Sequence, residues 1–284
     1  GGENCYFNYT YYDFLSKQGV YNGVWLEPDA GLAVALIEYW AYAKFGDEKY
    51  LNAARWIINY YDKYSFNPHF EVLTIFAPYV VARMNAEQGT NFDVNKYFTW
   101  LFTYSDARPG YKDLTGTWNG LDINGLLGAN YYGGYGFPMN TFLTAFFAPA
   151  VKYDHRYART VGKYILNASN SMRFTFADQI PANRQYHGSR FINKPEKAIP
   201  YEGFIRFAQG FPEGTAYGDP CVQPSWGCGP DVTDLSIYSG AYMGFYGAIL
   251  NPTNVDKILQ IDVNKLDFFK ETSYPTYLYY NPYF

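Results

Sequence analysis

Four segments of the chain are apolar nearly all the way round at helical length: Asp29 to Phe45, Glu71 to Met84, Met139 to Val151 and Asp231 to Leu250. A helix buried on every side has this pattern, so each is expected to be an inner helix. The first runs through Gly46-Asp47 into a segment with one polar stripe (Lys49, Asn52, Arg55, Asn59, Asp62) and one apolar stripe (Tyr50, Ala54, Ile57, Ile58, Tyr61). The third runs through Tyr153-Asp154 into a helix whose polar stripe is Arg156, Arg159, Lys163, Asn167 and Asn170. The second is followed more loosely by Asp93-Val94-Asn95-Lys96-Tyr97. Inner helix, short Asp-led turn and outer helix form an internal repeat, which predicts a mainly α fold built as a double-layered helical barrel over residues 1–250. Ile258 to Val263 and Tyr277 to Tyr280 read as β and predict a short C-terminal β segment over 251–284.

An antiparallel helix hairpin puts the start of its first helix and the end of its second at the same end of the barrel. This sorts the loops. Gly46-Asp47, Glu87 to Asp93 and Tyr153-Asp154 fall at the closed end. Trp25 to Asp29, Asn67 to Glu71, the Gly-rich stretch from Asp106 to Gly136, and Arg173 to Asp234 fall at the other, where long loops point to function.

Composition sharpens that expectation. Aromatics make up 21% of the 284 residues, and 32 Tyr stand against 22 Lys plus Arg, so much ring surface carries a hydroxyl at the water boundary. The long-loop end offers Trp25, Trp118, Tyr132, Tyr135, Tyr186, Tyr201, Tyr217 and Trp226 to stack on pyranose rings. It also offers Glu27, Glu71, Asp122, Glu202, Glu213 and Asp219 as carboxylates. A glycosidase needs two carboxyl groups across the scissile bond, one protonated and one ionised. A net charge of −4 gives no basic footprint for nucleic acid or an anionic membrane, and no apolar run reaches membrane-spanning length without glycine or polar interruption.

Each candidate also has a plainer role. Glu27 and Asp29 flank Pro28 at a helix start, where capping and the helix dipole account for them. Glu71 opens a buried helix two residues after His69, and function and capping are evenly balanced there. Asp122 sits in Trp118-Asn119-Gly120-Leu121-Asp122, a setting that suits an Asx turn somewhat better than catalysis. Glu202, Glu213 and Asp219 are individually turn residues, but together they make the longest non-helical stretch the best place to look. Asn183-Arg184-Gln185-Tyr186-His187 gathers the residue types of polysaccharide β-elimination, and Asn67 with His69 adds a second such pair. His69, His155 and His187 are too far apart for a metal motif. Asp231 and Asp234 could join backbone carbonyls around calcium, although capping is commoner; no other cofactor is expected. No dinucleotide, phosphate-loop or nucleophile-elbow pattern is present. Cys221 and Cys228 bracket a Pro/Gly turn and form the expected disulfide, which would place the chain outside the cell or on its surface.

Gly46-Asp47-Glu48-Lys49-Tyr50-Leu51-Asn52-Ala53-Ala54 with Trp56 resembles the hairpin turns of (α/α)-toroid carbohydrate-active enzymes, which include glycoside hydrolases and polysaccharide lyases. The resemblance is architectural, covers roughly 28–173 and 231–250, and carries over no catalytic residue. It implies a polysaccharide or oligosaccharide bound in a funnel, and makes the C-terminal strands the start of a β-sandwich. Fewer helices can be placed than six hairpins need, so the expected toroid is incomplete or the chain is cut from something longer. The leading expectation is a secreted glycoside hydrolase. A lyase using His, Tyr, Asn and Arg is the first alternative, and a non-catalytic sugar-binding or self-assembling surface protein is the second.

Overall fold

The computed structural model describes residues 6–24, 26–129, 134–186, 200–207, 210–218, 240–270 and 274–283. The helices are α1 (Ala30–Phe45), α2 (Glu48–Asp62), α3 (Ala77–Gln88), α4 (Val94–Phe102), α5 (Pro138–Leu143), α6 (Phe147–Tyr153), α7 (Ala158–Met172) and α8 (Met243–Ile249). The strands are β1 (Tyr11–Asp13), β2 (Gln18–Val20), β3 (Tyr111–Asp113), β4 (Thr117–Trp118), β5 (Leu121–Asp122), β6 (Leu127–Ala129), β7 (Tyr135–Gly136), β8 (Gly203–Ile205), β9 (Thr215–Tyr217), β10 (Leu250–Pro252), β11 (Leu259–Asp262) and β12 (Tyr277–Tyr279). They fall into two compact units. One comprises Gly1–Tyr111, Phe146–Ala158 and Asp262–Tyr277, and the other comprises Lys112–Ala145, Arg159–Ile261 and Leu278–Phe284.

The first unit contains the α1–α2 and α3–α4 hairpins. Gly46, at φ 72°, closes α1 by donating its N–H to the Tyr42 carbonyl, a left-handed conformation that glycine adopts without steric cost. Asp47 then caps α2 by accepting the N–H of Lys49. Asp93 does the same for Asn95 ahead of α4, and Asp154 for Arg156 ahead of α7. The Asp-led repeat is therefore one local hydrogen-bonding device used three times. Leu51, Ala54, Ile57, Ile58 and Tyr61 bury the apolar side of α2, and α3 is buried on nearly all sides. α1 departs from the inner-helix pattern, because Val34 and Ile37 are exposed.

The second unit corrects the predicted fold class. It holds a five-stranded sheet in the order β3-β6-β7-β8-β9, antiparallel from β6 to β9, so the fold is mixed α/β and not a mainly α toroid. The strands are two or three residues long and glycine-rich, and residues 106–136 and 173–234 consequently read as loops. A Cβ on Gly128 would lie 2.0 Å from the Tyr135 carbonyl oxygen, so close strand approach requires that glycine. Asn119 and Gly120, at φ 50° and 78°, form the two-residue turn of the β4–β5 hairpin, the positive-φ pair that matches strand twist. In the C-terminal region β10, β11 and β12 form a three-stranded sheet, with strands where Ile258 to Val263 and Tyr277 to Tyr280 suggested them.

Candidate functional site

In the first unit, His69 and Glu71 sit in a tightly wired segment before α3. The Asn67 side chain donates to the Trp100 and Tyr104 carbonyls at 2.7 and 3.1 Å, and its oxygen accepts the His69 N–H at 3.0 Å. His69 is fully buried, and its Nε2 lies 3.1 Å from the backbone carbonyl of Glu71 rather than from a carboxylate. Burial pushes the imidazole down to about 3; the Trp100 backbone opposes that shift and the Arg108 charge adds to it. The ring is therefore neutral at ordinary pH. The Glu71 carboxylate pairs with Arg108, whose guanidinium stacks on Phe70 and Tyr111 at 5.3 and 4.9 Å from the ring centres. The Asn67 and His69 pair thus has the packing of a structural joint.

Asp29 does not cap its own helix. Its Oδ2 accepts the N–H of Phe70 and both the N–H and hydroxyl of Thr74, at 3.2, 3.1 and 2.9 Å. Burial raises its carboxyl to about 6, against the lowering effect of those same bonds. Glu27, two residues earlier, accepts the Ala30 N–H on its backbone carbonyl.

The second unit holds the other described candidates. Trp118 is buried and stacked on Phe204, with ring centres 5.9 Å apart, and Tyr201 is fully buried with its hydroxyl donating to Gln185. Neither ring is open to a sugar. Asp122 accepts the Asn124 N–H at 2.9 Å in an Asx turn. Glu213 pairs with Arg206 at 3.0 Å. Tyr186, Phe211 and Tyr217 form a half-exposed cluster, with Tyr186 4.6 Å from Tyr217 and 5.6 Å from Phe211 between ring centres. Its backbone is fixed because the Tyr186 N–H donates to the Ala216 carbonyl of β9 at 2.8 Å.

Glu202 lies against Gly218, next in sequence to the Tyr217 of this cluster. A Cβ on Gly218, the residue after Tyr217, would come within 2.7 Å of the Glu202 carboxylate, so the glycine makes room for the acid. Tyr135 packs against Gly203 from β7, and Arg184 is half-buried two residues before Tyr186. The β8–β9 register, Gly203↔Tyr217 to Ile205↔Thr215, puts Glu202 and Glu213 at opposite ends of the hairpin. At roughly 3.3 Å per residue their backbones are about 16 Å apart. The Glu213 carboxylate is occupied at its own end of the hairpin by Arg206.

No family model, curated protein or solved structure matches this chain. Trp25, Tyr132, His187, Asp219, Trp226, Asp231, Asp234 and the Cys221–Cys228 pair lie outside the described residues. Among the described residues no group of three or more His, Cys, Asp or Glu could hold a metal ion, and no helix is long and apolar enough to cross a membrane.

Two features of the described residues escaped sequence reasoning. Asp113, on β3, keeps partial exposure, yet burial of its carboxyl raises it to about 7, against the lowering effects of Lys112 and the Gly125 N–H. Nothing in its Tyr-Lys-Asp setting signals this. In the first unit, Asp267 accepts from Tyr79 (2.7 Å) and Arg83 (3.2 Å) on one oxygen and from Lys152 (2.6 Å) and Tyr153 (2.7 Å) on the other. Glu87 accepts from Tyr39, Arg83 and Lys270.

Proposed function

We propose that the chain is a secreted glycoside hydrolase that holds a polysaccharide against the Tyr186, Phe211 and Tyr217 cluster and uses Glu202 as a reacting carboxylate. The observation that carries this reading is a carboxylate packed on Gly218, one residue from the Tyr217 ring of a partly exposed aromatic cluster. Rings of this kind stack on the C–H faces of pyranoses, and phenol hydroxyls bond sugar hydroxyls. Glu202 immediately precedes β8, and its packing against Gly218 limits where its carboxylate can go. Asp219 follows Gly218 in the sequence and is the partner carboxylate this reading nominates, since Glu213 is paired with Arg206 at the other end of the hairpin. The Arg108-paired Glu71 and the packed His69 take structural roles.

Reducing-sugar release from a panel of neutral glycans tests the reading. Release that falls about a hundredfold in Glu202→Gln, with binding retained, supports it; that loss corresponds to about 2.7 kcal/mol of barrier. Saturable binding without release by the unaltered protein would make it a non-catalytic binder. Unsaturated product from uronate polymers would make it a lyase.

A further inference from the structure

We propose that Asp29 and the turn at residues 70–74 form a pH-gated clasp, closed while the carboxyl is protonated and loosened when it ionises. The clasp joins the start of α1 to the segment leading into α3. Asp29 is wholly buried, and one oxygen takes three donors, the Phe70 N–H and the N–H and hydroxyl of Thr74. The other oxygen, Oδ1, is buried and has no hydrogen-bond partner among the described residues. Among those residues no cation bonds to the carboxyl either.

A neutral acid protonated on Oδ1 keeps Oδ2 as the acceptor of the three donors and leaves no buried charge, at the smaller cost of one O–H without an acceptor. An ionised acid places a full charge in a wholly buried site where, among the described residues, no cation bonds to it, which is costly in a low-dielectric interior. Three donors are too few to offset that cost fully, consistent with the carboxyl's rise to about 6.

The surrounding groups do not take over the titration. From α2 the Tyr61 hydroxyl is electrostatically coupled to Asp29, but it donates to the Pro28 carbonyl and its own ionisation is pushed far upward by burial. On the 67–76 segment the other titratable or charged groups are His69, which is neutral, and Glu71, paired with Arg108. On its own approach to α1 the other carboxyl is that of Glu27, two residues earlier in the sequence. Opening the clasp exposes Asp29 to water, where its ordinary value is 3.8. Ionisation therefore favours the open form, and the turn carrying Glu71 loosens as pH rises through about 6.

Hydrogen exchange of the Phe70 and Thr74 amides at pH 4.5 and 7.5, corrected for intrinsic rates, tests the clasp. Linkage between 3.8 open and about 6 closed predicts an opening equilibrium about 25-fold larger at pH 7.5 than at 4.5. Asp29→Asn, which keeps an acceptor oxygen and cannot ionise, should remove that pH dependence. Equal protection of both amides at the two pH values in the unaltered protein would overturn the proposal. So would an unchanged pH dependence in Asp29→Asn. If that variant does not fold, ¹³C titration of the Asp29 carboxyl in the unaltered protein decides: a midpoint near 6 shared with the Phe70 and Thr74 amide shifts supports the clasp, and a midpoint at or below 4 overturns it.

Discussion

Removing the Asp267 carboxylate should unfold the first unit at markedly lower denaturant. Asp267 ties residues 262–270 to α3 and α6, and its side chain is 1% exposed while those of Arg83 and Lys152 are 2% and 15% exposed. In Asp267→Ala, Arg83 keeps Glu87 at 3.1 Å and the Phe268 carbonyl at 2.8 Å, but Lys152 loses its ion-pair partner. The Tyr79 hydroxyl loses its acceptor as well, and the Tyr153 hydroxyl is left with only a long 3.4 Å bond to Glu87. Breaking a buried pair from one side costs about 3 to 5 kcal/mol, and retention of Glu87 puts the expected loss near the lower end, about 3 kcal/mol. Because the chain has two units, a single unfolding midpoint can mix transitions, so exchange of α3 and α6 amides under increasing urea is the assay. Adding Lys152→Met to Asp267→Ala should recover part of the loss, because the orphaned cation causes much of it. A loss below about 1 kcal/mol, or no recovery in the double variant, would refute the reasoning.

Glu71→Gln should cost at most about 1 kcal/mol, because its pair with Arg108 is partly solvent-exposed, and should leave sugar release within a few-fold; a hundredfold loss would restore Glu71 as the reacting acid. Gly125→Ala should destabilise the second unit by about 2 to 4 kcal/mol in urea unfolding. Gly125 has φ +90°, and a Cβ there would lie 2.7 Å from the Ala168 backbone nitrogen of α7, so an unchanged midpoint would contradict that packing. Asp113 carries a raised carboxyl, so its contribution is fully present below 3.8 and lost as pH rises through about 7. Asp113→Asn should thus gain on the unaltered protein between pH 4 and pH 8 in thermal melts, and a constant offset would contradict it. His69 acts in the opposite sense: its stabilising effect is complete above 6.5 and is lost as pH falls toward about 3.

The helical hairpins could be read from the chain because their information is local. Asp47, Asp93 and Asp154 each cap through the amide two residues on, and Leu51 to Tyr61 bury the stripe that their spacing marks. The five-stranded sheet could not be, because strands such as Leu127–Ala129 and Gly203–Ile205 are too short and glycine-rich to show alternation. Their pairing depends on contacts distant in sequence. The Asp267 network is more remote still, joining Tyr79 to a residue 188 positions away. His69 and Glu71 looked like a site because they are two residues apart; the ring instead meets the Glu71 backbone, a distinction that spacing does not carry. Asp122 went the other way, since the Asx turn expected of it is the bond it makes. Trp118 and Tyr201 are aromatic at the right places along the chain but face the core, whereas Tyr186 and Tyr217 stay half-exposed.

The most direct test of the proposed function is a structure of Glu202→Gln soaked with an oligosaccharide that the unaltered protein cleaves. The account predicts a pyranose ring stacked on Tyr186 or Tyr217 and the residue-202 side chain within hydrogen-bond reach of the glycosidic oxygen or the anomeric carbon. A sugar bound elsewhere with residue 202 out of reach, or no cleaved glycan to soak at all, would contradict it.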